Sequence, residues 1–157
     1  MATSAQVVGS VVSLWRYPIK SMIGEELNAA EVTERGLVGD RVYGVVDPTN
    51  NKVASVKNPS KWGKLFECRA AFLAPPRRNQ KIPPVRIALP DGTTVSSEQP
   101  DLGQVLSRVL GRPATFEATA PQAPSLEEYW PDLEGLRATA GFKDLARVKG
   151  AGTPPTH

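Results

Sequence analysis

Lys20, Ser21 and Arg41 are the side chains whose types and placement suggest chemistry. An ammonium, a hydroxyl and a guanidinium brought together form the donor set that a phosphate or another oxyanion needs. They sit in two turn-like stretches, LWRYPIKSM at residues 14–22 and GLVGDR at 36–41. Pro18 cannot donate to a sheet ladder, so the apolar run before it breaks and presents Lys20 and Ser21. Gly36 and Gly39 tolerate the positive φ values of a tight turn and deliver Asp40 and Arg41. A plainer reading competes: Lys20 is a solvated turn residue and Arg41 pairs with Asp40 or another surface acid. Three charge-assisted hydrogen bonds of about 1.5–3 kcal/mol each, less ordering costs, support only about millimolar to micromolar affinity. A tighter site requires a second wall, which the sequence does not reveal.

Other catalytic constellations fail on residue types. The single histidine, His157, is the last residue, so a nucleophile has no positioned imidazole base. One cysteine and one terminal histidine do not make a metal site. Cys68, among apolar neighbours, reads as a small core residue rather than a nucleophile or soft-metal ligand. Glu127 and Glu128 are adjacent and point to different faces, as a solvated patch does. The chain contains no phosphate-binding glycine loop and no dinucleotide fingerprint.

The elements that position these side chains read as mostly β. Residues 7–15 form a valine-rich first strand and residues 25–33 a weakly patterned second one. RVYGVVD at 41–47 is the clearest strand, followed by a hairpin turn at 48–51 into a short strand at 52–56. Residues 58–62 suit one helical turn with Ser60 as its cap, and residues 66–73 resume a strand. The loop at 75–84 is closed by double prolines. Its three cations lack the interleaved aromatics that stack on bases, so it reads as a stiff surface loop. Residues 85–89 and 93–96 make a hairpin around Asp91-Gly92. Residues 101–110 form the one convincing helix, capped by Asp101 and stopped by Gly111, with residues 114–118 as a last strand. The expected fold is mainly β with one or two short helices, a small barrel-like domain over residues 5–118. Beyond residue 121 the pattern decays, apart from the acidic-aromatic island LEEYW at 126–130.

Composition fits this reading. At 157 residues the chain suits one domain with a proper core. The net charge of +3 is spread along the sequence, which favours small anions over nucleic acid. No apolar run approaches the roughly 20 residues of a membrane span, and MATSAQ lacks the charged start of a signal peptide. The single cysteine fits a reducing compartment, so a cytoplasmic location is expected, with neither nucleic acid nor membrane as partner. Proline is 15 of 157, about twice the usual ~5%, and punctuates strands.

The motifs LWRYPIKS at 14–21, EVTERGL at 31–37, GDRVY at 39–43 and VVD at 45–47 resemble the MOSC N-terminal β-barrel domain. The likeness runs over about residues 8–118, and residues 126–136 resemble the segment leading towards a MOSC domain. That domain precedes the MOSC domain in proteins such as the mitochondrial amidoxime-reducing component. The resemblance implies that Lys20, Ser21 and Arg41 contact a molybdenum-molybdopterin cofactor, whose phosphate agrees with the donor set. It implies reduction of N-hydroxylated compounds, or sulfur transfer, in the complete enzyme, and carries pyridoxal phosphate and molybdenum ion binding among the associated properties. The metal-ligating cysteine of such proteins lies in the MOSC domain, so Cys68 does not inherit that role. Residues 119–157 are expected to be a linker or tail towards a MOSC domain that is missing from, or separate from, this chain. No turnover is then expected of the chain alone, and an electron or sulfur donor protein is the further partner implied. The alternatives are a non-catalytic β module that docks another protein, or a generic oxyanion binder.

Overall fold

The computed structural model describes residues 6–118. Expectations for the 119–157 tail, its 126–130 island and its approach to a MOSC domain lie outside the described residues. The elements in order are β1 (Leu14–Arg16), β2 (Glu25–Leu27), β3 (Val32–Thr33), β4 (Gly36–Leu37), β5 (Tyr43–Asp47) and β6 (Lys52–Val53). Then come α1 (Pro59–Trp62), a 3-10 segment (Gly63–Glu67), β7 (Arg69–Phe72), β8 (Val85–Ala88), β9 (Thr94–Ser96), α2 (Leu102–Leu110) and β10 (Thr115–Ala118). The fold is mainly β with two short helices, as expected.

Four small sheets carry the strands: β1-β2, β3-β4, β10-β5-β6 and β7-β8-β9. All their pairings are antiparallel. Two isolated parallel bridges, Ile19 to Tyr43 and Ile23 to Arg69, tie the turn after β1 to β5 on one side and to β7 on the other. Among the described residues these ladders do not close into one continuous barrel. Apolar residues from the two three-stranded sheets, the helices and the turn after β1 meet in one core, where Ile19, Val45, Trp62, Leu65, Ile87 and Leu106 are buried. Helix α2 lays Leu102, Leu106 and Leu110 on it, the spacing of a single helical face.

The first strand is shorter than its valine pattern suggests. Only residues 14–16 find partners, in the register Leu14 to Leu27, Trp15 to Glu26 and Arg16 to Glu25. Its apolar residues at 7, 8, 11 and 12 stand exposed. The second expected strand likewise divides, with β2 and β3 separated by residues 28–31. At residues 63–67 a 3-10 turn replaces the start of the expected strand, and Cys68 ends it with its N–H bonded to Leu65 O. The cap of α1 is Asn58, with Pro59 in the first turn, and not Ser60. The Ser60 hydroxyl donates to the Asn58 side chain at 3.0 Å. Asp101 occupies the cap position of α2, yet its carboxylate accepts from Gln99 rather than from the helix backbone. Gly111 ends α2 in the left-handed conformation, as its type predicts. No helix of the described residues is long and apolar enough to cross a membrane.

The hairpin from β5 to β6 is anchored by a buried acid. Asp47 accepts from the Thr49 N–H at 2.9 Å and from its hydroxyl at 2.6 Å. It also pairs with Lys61 of α1 at 2.8 Å. Burial alone raises the pKa of this carboxyl, but the bonds from Lys61 and Thr49 outweigh it and bring it down to about 2 from 3.8. A depressed carboxylate stabilises the fold above its unfolded pKa and loses that effect as pH falls through the folded value. Asp47→Asn should therefore cost about 2 kcal/mol at pH 7. Urea unfolding of both proteins should show the difference closing between about pH 4 and pH 2.

Candidate functional site

Residues 17–24 are held from both sides by backbone hydrogen bonds. Arg41 N donates to Tyr17 O at 2.6 Å, Tyr43 N to Pro18 O at 3.1 Å and Lys20 N to Tyr43 O at 3.0 Å. At the other end Ile23 N donates to Cys68 O at 2.9 Å, and Ala70 N to Ile23 O at 2.8 Å. Pro18 and Ile19 are buried between these attachments. The chain then turns tightly, with Met22 N bonded to Ile19 O and Ser21 in the left-handed region at φ 70°. Gly24 completes the turn: a Cβ there would lie 2.2 Å from Arg16 O, so only glycine fits.

The second turn docks onto the first. Gly39, at φ +85°, is covered by Pro76 and Phe72, whose atoms would be 2.7 and 2.8 Å from an added Cβ. Asp40 follows, and its Oδ1 accepts the Tyr17 N–H at 2.8 Å. Its other oxygen, Oδ2, pairs with Nη1 of Arg41. The Arg41 guanidinium also lies over the Tyr17 ring, 5.4 Å from its centre. The Arg41 side chain is 59% exposed. Pairing with Asp40, the plainer of the two sequence readings, is therefore present.

Ser21 plays a part that its sequence position did not disclose. Its Oγ accepts the backbone N–H of Val56 at 3.2 Å, which fixes the hydroxyl while leaving its own proton to donate. Lys20 is half-buried, with its backbone locked to Tyr43. The structure thus brings the backbones of the Lys20-Ser21 and Arg41 turns side by side.

Arg16, which the sequence reading passed over, lies beneath both turns. Its buried guanidinium contacts Glu25 through Nε at 2.9 Å and Nη2 at 2.7 Å. Nη1 donates to Val38 O at 3.4 Å, and the group stacks over Phe72 at 4.9 Å. One side chain therefore joins β1, β2, the Gly39 turn and β7. The available signal was an arginine in an apolar run followed by a short strand bearing Glu25, its direct cross-strand partner.

Cys68 is a core residue. Its thiol lies 3.8 Å from Lys64 O, and burial with the nearby Glu67 pushes its pKa up to about 11. Among the described residues no group of three or more His, Cys, Asp or Glu could hold a metal ion. A shallow recess of about 350 Å³, lined by Lys64, Glu67, Pro90, Asp91, Arg108 and Val109, contains none of the three candidate residues. The loop at 75–84 serves the second turn structurally, burying Pro76 against Gly39 while Arg78 N donates to Glu31 at 3.4 Å.

Residues 8–62 match the MOSC N-terminal beta barrel domain. Both turns and all three candidate residues fall inside the match. It covers the first half of the stretch that the motifs suggested. No curated protein and no solved structure matches the chain.

The docking of the MOSC-like turns rests on Gly39, and a pair of substitutions separates packing from backbone strain. Gly36 has a φ of +104° with nothing within 4 Å of an added Cβ. Gly36→Ala should cost about 1–2 kcal/mol, the left-handed penalty alone. Gly39→Ala should cost about 2–4 kcal/mol, because overpacking against Pro76 and Phe72 adds to it. Urea midpoints at an unchanged slope provide the measurement.

Proposed function

We propose that this chain supplies the phosphate-gripping part of a MOSC-type molybdenum-cofactor protein. The observation that carries the reading is the double anchoring of Arg41, by Asp40 and by the Tyr17 ring, beside the Lys20-Ser21 turn. In this reading Lys20, Ser21 and Arg41 supply three donors of different type, and the anchored Arg41 leaves less to order on binding, which favours it. The donor set fits the phosphate of a molybdopterin. When bound, the cofactor supplies redox or sulfur chemistry at molybdenum, for N-hydroxylated substrates or sulfur transfer. Lys20 and Arg41 neutralise phosphate charge, Ser21 donates one hydrogen bond, and the Gly39 turn sets the guanidinium's height. The partners this entails are a MOSC domain and an electron or sulfur donor protein.

Titration of the chain with inorganic phosphate and with a phosphorylated pterin, followed by amide chemical shifts, tests the reading. Binding in the millimolar to micromolar range should move the signals of Lys20, Ser21 and Arg41. Arg41→Glu should weaken it by about 10- to 100-fold, as expected for losing a charge-assisted bond of about 1.5–3 kcal/mol. A pterin phosphate that binds no more tightly than phosphate would reduce the site to a generic oxyanion binder. No shift at these three residues would sink the proposal.

A further inference from the structure

Arg16 is the one buried arginine among the described residues, with 6% of its surface exposed. A charge so placed is unfavourable unless it is paired and its donors are used. Here Nε and Nη2 converge on Oε1 of Glu25, at 2.9 and 2.7 Å. Nη1 turns the other way and donates to Val38 O at 3.4 Å, while the group lies over the Phe72 ring. Against packed apolar side chains of similar volume, a buried ion pair is often neutral or unfavourable for stability. An apolar pair at these two positions would still fill the space between β1 and β2, but it could not donate to Val38 O. What the charged pair adds is a link from the β1-β2 ladder to the turn that carries Arg41.

That turn is attached to Arg16 and Tyr17 along its length. Val38 O accepts from the Arg16 guanidinium, Asp40 Oδ1 accepts from Tyr17 N at 2.8 Å, and Arg41 N donates to Tyr17 O at 2.6 Å. Gly39, between the first two, is packed on Phe72, the ring over which the same guanidinium lies. The bonds to Tyr17 act on Asp40 and Arg41 themselves, and Arg16 fixes the residues that lead into them. Arg41 has a φ of 50°, a conformation that persists only where the surroundings hold it. The direction of its side chain therefore depends on how firmly the turn is seated.

We propose that Arg16 is a positioning residue of the anion site: through Val38 O and Phe72 it seats the Gly39 turn, so that Asp40 and the Tyr17 ring keep the Arg41 guanidinium aimed. The inference rests on the phosphate site argued above and adds to it a residue that touches no ligand. Loosening this seat leaves Arg41 with more freedom to lose on binding, which lowers affinity without requiring loss of the fold.

The full chain carrying Arg16→Met with Glu25→Leu separates positioning from folding, because it removes the pair without leaving either charge buried alone. Its urea midpoint should lie close to that of the wild type at an unchanged slope. Its affinity for inorganic phosphate, read from the amide shifts of Lys20, Ser21 and Arg41, should fall by about 2- to 10-fold, the ordering cost of one long side chain. In the ligand-free chain the heteronuclear NOE of the Arg41 Nε–Hε group should drop as the guanidinium loosens. Arg16→Lys repeats the test with the charge opposite Glu25 retained, since one ammonium nitrogen replaces a fork that serves both Glu25 and Val38. Ile87→Val, a core change in β8, should lower the urea midpoint and leave both the affinity and the Arg41 NOE unchanged. Wild-type affinity and a wild-type Arg41 NOE in the Arg16 variants would make Arg16 purely structural and overturn the inference. Absence of any phosphate shift in the wild type overturns the anion site itself, and the NOE still decides whether Arg16 positions Arg41.

Discussion

The structure depends on the backbone attachment of residues 17–24, which carries the strain of two turns at once. Ser21 and Arg41 both lie in the left-handed region, where a side chain costs roughly 1–2 kcal/mol relative to ordinary backbone. Such strain persists when the surroundings over-determine it. Here they do so through three hydrogen bonds to residues 41–43 and two to residues 68–70. The buried side chain of Ile19, between these attachments, adds about 1.5–3 kcal/mol of apolar burial. Either set of bonds alone would leave the turn hinged. Together they fix the direction in which Lys20 and Ser21 leave the chain.

Two arginine–carboxylate pairs near this turn have opposite roles, and burial decides which is which. The Arg16–Glu25 pair is shielded, with side chains 7% and 17% exposed, and Arg16 also holds Val38 O and Phe72. Removing one member of such a pair leaves a charge without its partner in low dielectric, at a cost of about 3–5 kcal/mol. Arg16 is therefore a structural post, setting the Gly39 turn at a fixed distance from β7. The Arg41–Asp40 pair is largely solvated, and such pairs contribute about 0–1 kcal/mol. It holds a rotamer more than it holds the fold.

The sequence disclosed the types and order of most elements where a local rule decides them. β5, the β8-β9 hairpin and α2 follow from valine content, an Asp-Gly turn and an apolar helical face closed by glycine. Their observed bounds agree to within a residue or two. It also placed Lys20, Ser21 and Arg41 in two turns, because the Pro18 break and the Gly39 turn act within a few residues, and the structure joins those turns through their backbones. What it hid was long-range. The acceptance of Val56 N–H by Ser21 spans 35 residues, and no local pattern announces it. The cover of Gly39 by Pro76 made a surface loop into part of the site's frame. The failure at residues 7–13 has a different cause. Valine content favours a strand, but a strand exists only where a second backbone pairs with it, and among the described residues β2 does so only from Leu14 onward.

Asp40 places a carboxylate next to Arg41, which taken alone opposes the proposed anion site.

 The energies run the other way. The carboxylate accepts from Tyr17 N through one oxygen and from Arg41 through the other, so it joins the two turns while aiming the guanidinium. Its electrostatic opposition to an incoming phosphate is weakened by solvent, because the Arg41 side chain it faces is 59% exposed. A phosphate offers that guanidinium charge-assisted bonds of about 1.5–3 kcal/mol each, more than the solvated pair supplies. Without Asp40 the site gains net positive charge but loses the bond that holds Tyr17 against Arg41, and an unfixed arginine pays its rotamer entropy on binding. Position, rather than net charge, is what this arrangement secures.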